Sequence, residues 1–273
     1  MSKTTRKILI LLAVFICAAA AVFIMMFRRS KTQTEVSGTT AEEASFPVLS
    51  EEVKGSTVNY LYGYSESRNA LSAAESLTPL EQDRRLTVRI NPYGRQVTGI
   101  SYRLTSADGS ELIEENAPES QQTEADGTIS CVFAFREIMS KDTEYCLTFI
   151  VSTDSSSAIY YMTRVIDRSA LHTQQMLTYI SDFHAETFTK TDSKGIATNL
   201  ENNSSADNGT LALVNIHSNF DQLTYASLAP APVGDAQITI LQMDDTFGSF
   251  RVTSEVEAAD ENGRTCRYIV EEY

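Results

Sequence analysis

The sequence predicts a mostly β chain on an N-terminal transmembrane helix, with a β-sandwich, a short helical connector and a second β-rich domain. Three observations carry that expectation. Residues 8–27 contain no charged side chain. From residue 46 to 168 short runs alternate apolar and polar residues between turn dipeptides. Residues 169–190 switch to a helical period, after which alternation returns.

The uncharged stretch, ILILLAVFICAAAAVFIMMF, is 20 residues long. As a helix it spans roughly 30 Å, the thickness of the bilayer hydrocarbon. Twelve of its residues are Ile, Leu, Val or Phe, and each favours insertion by about 0.3–0.6 kcal/mol. The rival reading is a cleaved signal, with Lys3, Arg6 and Lys7 before an apolar run and Ala18 and Ala20 at the cut. Cleavage there leaves AVFIMMFRR at a new N-terminus, an apolar run that a soluble product does not explain, so an uncleaved anchor is expected. The bulky Ile16 before Cys17 disfavours a lipoprotein signal. Basic residues flank both ends, with Arg28, Arg29 and Lys31 after the span, so charge bias is nearly balanced. The short head and long tail favour a cytosolic N-terminus (1–7) and an extracytoplasmic bulk at the cell membrane. Residues 28–45 are polar and read as a flexible stalk.

Six of the 22 Lys and Arg lie in residues 1–31, and none of the 36 Asp and Glu does. The remainder therefore carries a formal charge of −20. Such a surface repels phosphate backbones, which disfavours nucleic acid as a partner, and the ordinary use of such charge is solubility. Beyond the span lie Cys131, Cys146 and Cys266, without a C-x-x-C pair. Few cysteines in an exported chain suit a bacterial envelope. Strand parity sets Cys131 with Ile129, Phe133 and Phe135, and Cys146 on the side opposite Tyr145, Leu147 and Phe149. The two are therefore not natural hairpin partners, and Cys146 is the thiol expected to be exposed.

Within 46–168, STVNYLYGY, RRLTVRI, ISYRL, SELIEE, TISCVFAF, TEYCLTFIV and SAIYYMTRVI read as strands. NPYG, Asp108-Gly109 and Asp126-Gly127 read as turns. About seven short strands without a long helix suggest a sandwich. In EIMSKDTEYCLTFIV, the turn after Ile138 is followed by Thr143, Tyr145, Leu147 and Phe149 at spacing two. This pattern resembles the tyrosine corner of fibronectin type III and immunoglobulin-like domains. The resemblance implies that the Tyr145 hydroxyl bonds back to the upstream backbone, making Tyr145 a fold residue. The buried Trp typical of those domains is missing, because the chain has no Trp.

Residues 169–203 read as the helical connector, with Met176, Leu177, Ile180, Phe183 and Phe188 on one face. Asp167 or Ser169 is the expected cap, and a second short helix is expected around 196–200. Residues 204–273 read as the second β domain. Its strands are TLALVNI, QLTYASL, QITILQM, SFRVTSEV and CRYIVEE, the last two joined at Asn262-Gly263. It ends on strand residues at Tyr273, as a truncated chain would.

No G-x-S-x-G, H-E-x-x-H, P-loop or G-x-G-x-x-G occurs, so no catalytic residue, cofactor or metal ligand is assigned. His184 reads as a hydrogen-bonded core histidine. In NIHSNFD, alternate residues Asn215, His217, Asn219 and Asp221 would share a strand face as a polar ligand or Ca²⁺ site, against the plainer reading of a solvated strand end. Tyr60, Tyr62 and Tyr64 share a face with Val58 and could stack on glycan rings. Packing of that face into the core explains them equally well and is the expected outcome. The function expected is a single-pass, membrane-anchored envelope protein acting as a binding, adhesion or regulatory module, with a protein or cell-envelope partner. The alternatives are an envelope hydrolase, or a spacer whose functional part lies beyond residue 273.

Overall fold

The computed structural model of the chain describes residues 46–67, 74–81, 83–137, 139–168, 172–201 and 214–273. The expected head, span and stalk lie outside the described residues. Among the described residues no helix is long and apolar enough to cross a membrane.

Two five-stranded sheets form the first part. One contains β1 (Val48–Val53), β2 (Ser56–Tyr62), β4 (Arg85–Asn91), β7 (Ser120–Thr123) and β8 (Ile129–Ala134), in the order β2-β1-β4-β8-β7. The other contains β3 (Leu77–Leu80), β5 (Val97–Ser106), β6 (Leu112–Asn116), β9 (Glu144–Thr153) and β10 (Ile159–Asp167), in the order β3-β10-β9-β5-β6. Neighbouring strands run antiparallel except β3 and β10. The NPYG turn passes the chain from the first sheet to the second, with Tyr93 at φ +47° and Gly94 at φ +77°. A residue without a Cβ is suited to that left-handed position.

Alternation places one side of each strand in a shared core. Leu86, Val88 and Ile90 of β4 and Ile129, Cys131 and Phe133 of β8 meet Tyr102, Leu104, Leu147, Phe149 and Val151 of the opposing sheet. Phe133 stands edge-on to Tyr102, with centroids 5.5 Å apart, and tilts against Phe149 at 5.0 Å. These contacts knit the two sheets together. The seven strands expected within residues 46–168 all form, and three unexpected ones join them. β7 is polar throughout and wholly exposed, β3 is a buried four-residue run containing Pro79, and β1 carries Glu51 on its inner face. None of the three displays an apolar–polar alternation that sequence reading can use.

The backbone N–H of Ser140 donates to the Tyr145 hydroxyl at 2.8 Å, the bond implied for that tyrosine. Cys131 lies in the shared core, and Cys146 packs on the other side of β9 with Ala74 and Met162. Parity thus separates the two cysteines as expected. Cys146 is nevertheless buried, because the segment before β3 covers that side of the sheet, and Cys266 is the more accessible thiol.

A third sheet follows: β11 (Ala231–Met243), β12 (Gly248–Ala259) and β13 (Thr265–Glu272), in that order and antiparallel. β11 packs along β2 and β3. Helix α1 (Thr173–Thr189) lays Leu177, Met176 and Ile180 against Ile240, Met243 and Phe250, and Val53, Val58, Leu77 and Ile166 complete this second core. Residues Glu43–Tyr273 thus make one compact unit. The helix starts differently from expectation. His172 occupies the cap position without a side-chain bond, and Asp167 instead ends β10, paired with Arg84 at 2.9 Å. Ser169 lies outside the described residues. A 3₁₀ turn, Ile196–Asn199, stands where the second short helix was expected.

Candidate functional site

Tyr60 and Tyr62 face outward, which corrects the expectation of a core face. Asn59 adopts φ +50° and inserts an extra residue opposite β1, so the register steps from Leu49↔Leu61 to Glu51↔Val58. A bulge of this kind reverses which side chains face the core. Val58 and Leu61 point inward while Tyr60 and Tyr62 point outward. Beyond the strand, an added Cβ on Gly63 would sit 2.5 Å from Ile159, so only glycine allows the chain to lie this close to β10. Tyr64 exchanges backbone hydrogen bonds with Tyr160 there, both at 2.9 Å.

The result is an open aromatic face. Tyr62 is 55% exposed and donates its hydroxyl hydrogen bond to Gln237 of β11 at 3.0 Å. Tyr93, from the turn after β4, is 54% exposed. Tyr60 is half-buried beside them. Burial pushes its hydroxyl pKa up, Asp235, Tyr62 and Tyr93 push it the same way, and Arg89 opposes them. Aromatic rings held by their backbone, with an amide, a carboxylate and a guanidinium around them, can stack on an apolar ring face and hydrogen-bond its hydroxyl rim.

The second candidate does not assemble. Residues 214–219 form a turn leading into the short helix α2 (Phe220–Leu223), so Asn215, His217, Asn219 and Asp221 share no strand face. Asn215 accepts from the His217 N–H at 2.9 Å, His217 Nδ1 lies 3.1 Å from the Glu201 carbonyl, and Asn219 caps the helix by accepting from Gln222 N–H at 2.9 Å. Asp221 sits in the first turn of the helix. Asn and Asp compete for strand backbone with local side-chain bonds, and here those bonds win. The expected strand over 222–228 is replaced by α2, whose start Asn219 and Gln222 cap reciprocally, and by turns. Among the described residues no group of three His, Cys, Asp or Glu is placed to hold a metal ion. His184 is hydrogen-bonded as expected, with Nδ1 3.0 Å from Glu272, and its ring meets Phe188 edge-on at 5.1 Å.

A cleft of about 550 Å³ opens where the sandwich meets the third sheet, lined by Glu75, Glu144, Arg164, Leu241, Arg251 and Tyr273 among others. Arg164 bonds Glu144 at 3.0 Å, the Glu75 carbonyl at 3.0 Å and the Leu241 carbonyl. Arg251 pairs with Glu75 at 2.8 Å. Each guanidinium already has a carboxylate partner, so the cleft offers no net charge to a ligand, and its arginines tie β9, β10, β11 and β12 together.

Sequence reading missed the buried polar cluster between the two cores. Glu51 accepts from Asn59 Nδ2 at 2.8 Å and from the Thr78 hydroxyl at 2.5 Å. Asn59 also donates to the Leu77 carbonyl at 3.0 Å and accepts from the Ile240 N–H at 2.9 Å. Thr78 lies 3.0 Å from Thr163, which Ser76 also reaches at 2.9 Å. Burial pushes the Glu51 carboxyl up to about 7, against the Thr78 and Asn59 bonds that pull it down. The cluster joins all three sheets and is closed to solvent, which suits a structural latch better than a reaction centre.

No protein-family model matches the chain, and no curated protein matches it in sequence. Among solved structures it is similar to the crystal structure of CopC from Methylosinus trichosporium OB3b. The match has 16% identity and a TM-score of 0.25, covering 41% of this chain and 99% of that one.

Proposed function

We propose that this protein is a single-pass, membrane-anchored envelope protein whose extracytoplasmic β region binds a carbohydrate of the cell envelope through Tyr60, Tyr62 and Tyr93. The outward tyrosine face carries this reading. A bulge at Asn59 turns two aromatic rings away from the core they would otherwise fill, and a third joins them from a separate turn. The uncharged residues 8–27 support the anchor, and the acidic remainder favours an uncharged partner over an anionic polymer. The sandwich is of the fibronectin type III and immunoglobulin-like kind, a reading supported by the Ser140–Tyr145 bond.

The test is retention of the purified full chain on insoluble cellulose, chitin and peptidoglycan. The chain has no Trp and 12 Tyr, so a change in tyrosine emission on binding reports the contact where it is lost in Tyr62→Ala and Tyr93→Ala. Losing one stacked ring removes about 0.5–1.5 kcal/mol, so Tyr62→Ala and Tyr93→Ala should each bind roughly 2–10-fold more weakly. Wild-type protein that none of these polymers retains overturns the carbohydrate reading, as does Tyr62→Ala binding at full strength.

A further inference from the structure

The third sheet ends on β13, and among the described residues no strand pairs with its outer edge. At the other end of the sheet, β11 is packed along β2 and β3. Natural edge strands are blunted by bulges, proline, short length or charge. β13 has no proline and pairs with β12 without a register shift from Thr265 to Glu272, so the charges it carries, Arg267, Glu271 and Glu272, decide which strand can approach.

The hydrogen-bond parity of that edge follows from the hairpin. The Asp260 N–H donates to the Arg264 carbonyl at 2.8 Å, and the register continues through Ala258↔Cys266 and Val256↔Tyr268. Backbone groups alternate sides along an antiparallel strand. Cys266, Tyr268, Val270 and Glu272 therefore bond β12, while Thr265, Arg267, Ile269 and Glu271 present their N–H and C=O groups outward. The side chains of this second set share one face of the sheet. There Ile269 is 74% exposed, more than the other large aliphatic residues described. Arg267 is held beside it by Glu255 and Glu257, each at 3.0 Å.

This edge is complementary to itself. With two copies antiparallel and Ile269 opposite its own symmetry mate, Arg267 of each strand faces Glu271 of the other. Shifting by two residues, the next register that parity allows, sets Arg267 or Glu271 against Ile269 and breaks both charge pairs. Opposite charges and apolar pairs across strands are favourable, and a patch that matches itself about a two-fold axis defines an isologous dimer. We propose that β13 is a dimerisation edge, through which two copies join their three-stranded sheets into one continuous six-stranded sheet about a two-fold axis at Ile269. The proposal is independent of the tyrosine face.

The mass of the full chain in detergent, measured by light scattering over a concentration series, should be that of a dimer. Glu271→Arg should convert it to a monomer with an unchanged circular dichroism spectrum. In a chain also carrying Cys17→Ser and Cys266→Ser, Ile269→Cys should cross-link through the two substituted positions with a short bismaleimide, and adding Glu271→Arg should abolish that product. A wild-type monomer at every concentration overturns the proposal, as does a dimer or cross-link indifferent to Glu271→Arg. Protection of the Arg267, Ile269 and Glu271 amides from hydrogen exchange in a monomer also overturns it, since another segment then covers the edge.

Discussion

Glu51 sits on the inner face of β1 between Leu49, in the first core, and Val53, in the second. Its neighbours from β2, β3, β10 and β11 are Asn59, Thr78, Thr163 and the Ile240 N–H, none of which titrates in the physiological range. With no opposite charge to compensate, burial dominates and the carboxyl pKa rises from 4.5 to about 7. The folded chain therefore holds this proton more tightly than the unfolded chain. The contribution to stability is full below pH 4.5 and is lost as pH rises through about 7, with a slope of at most about 1.4 kcal/mol per pH unit. Glu51→Gln should flatten that part of the pH–stability curve and stabilise the protein at pH 8, as read from urea unfolding at several pH values. An unchanged slope would assign the pH dependence to other groups. Nothing in FPVLSEEVKG distinguishes Glu51 from exposed Glu52, because burial of the first depends on strands as distant in the chain as β11, which holds Ile240.

At the scale of elements, β2 shows how one residue redirects a surface. Period two alone sets Val58 and the tyrosines on one face. The left-handed Asn59 adds a residue to the count, and its side chain finds Glu51, Leu77 and Ile240, contacts that only the folded molecule supplies. The loop after β8 shows the opposite case, where local pattern was enough. Tyr145 and its spacing announced a hydroxyl bonded to the upstream backbone, and Ser140 provides the N–H. Tyr145→Phe removes that one bond, so it should cost about 0.5–1.5 kcal/mol and leave the spectrum of the folded state unchanged. A chemical-denaturation midpoint equal to wild type would show that water replaces the bond without loss.

Across the whole molecule, the three thiols beyond the expected span report both topology and folding. Cys131 and Cys146 are buried, and burial raises their pKa values, to about 11 for Cys131, so little reactive thiolate forms. Cys266 on β13 is partly exposed. A membrane-impermeant maleimide should therefore label Cys266 in intact cells if the β region is extracytoplasmic, and should reach Cys131 and Cys146 only after denaturation. Labelling of Cys266 only after lysis would place the β region in the cytosol.

Of the thirteen strands among the described residues, the sequence by itself determined the places of ten, together with the hairpins at Asp108-Gly109, Asp126-Gly127 and Asn262-Gly263 and the apolar stripe of α1. It did so because period, turn chemistry and amphipathicity are local properties of the chain. The tertiary structure alone decided that Tyr60 and Tyr62 face out, that Cys146 is covered and Cys266 is not, and that Asn215 to Asp221 form turns and a cap. It also decided that Glu51 is enclosed by three sheets. Each of these outcomes depends on which distant segment lies opposite a residue, and a periodic pattern carries no information about its partner.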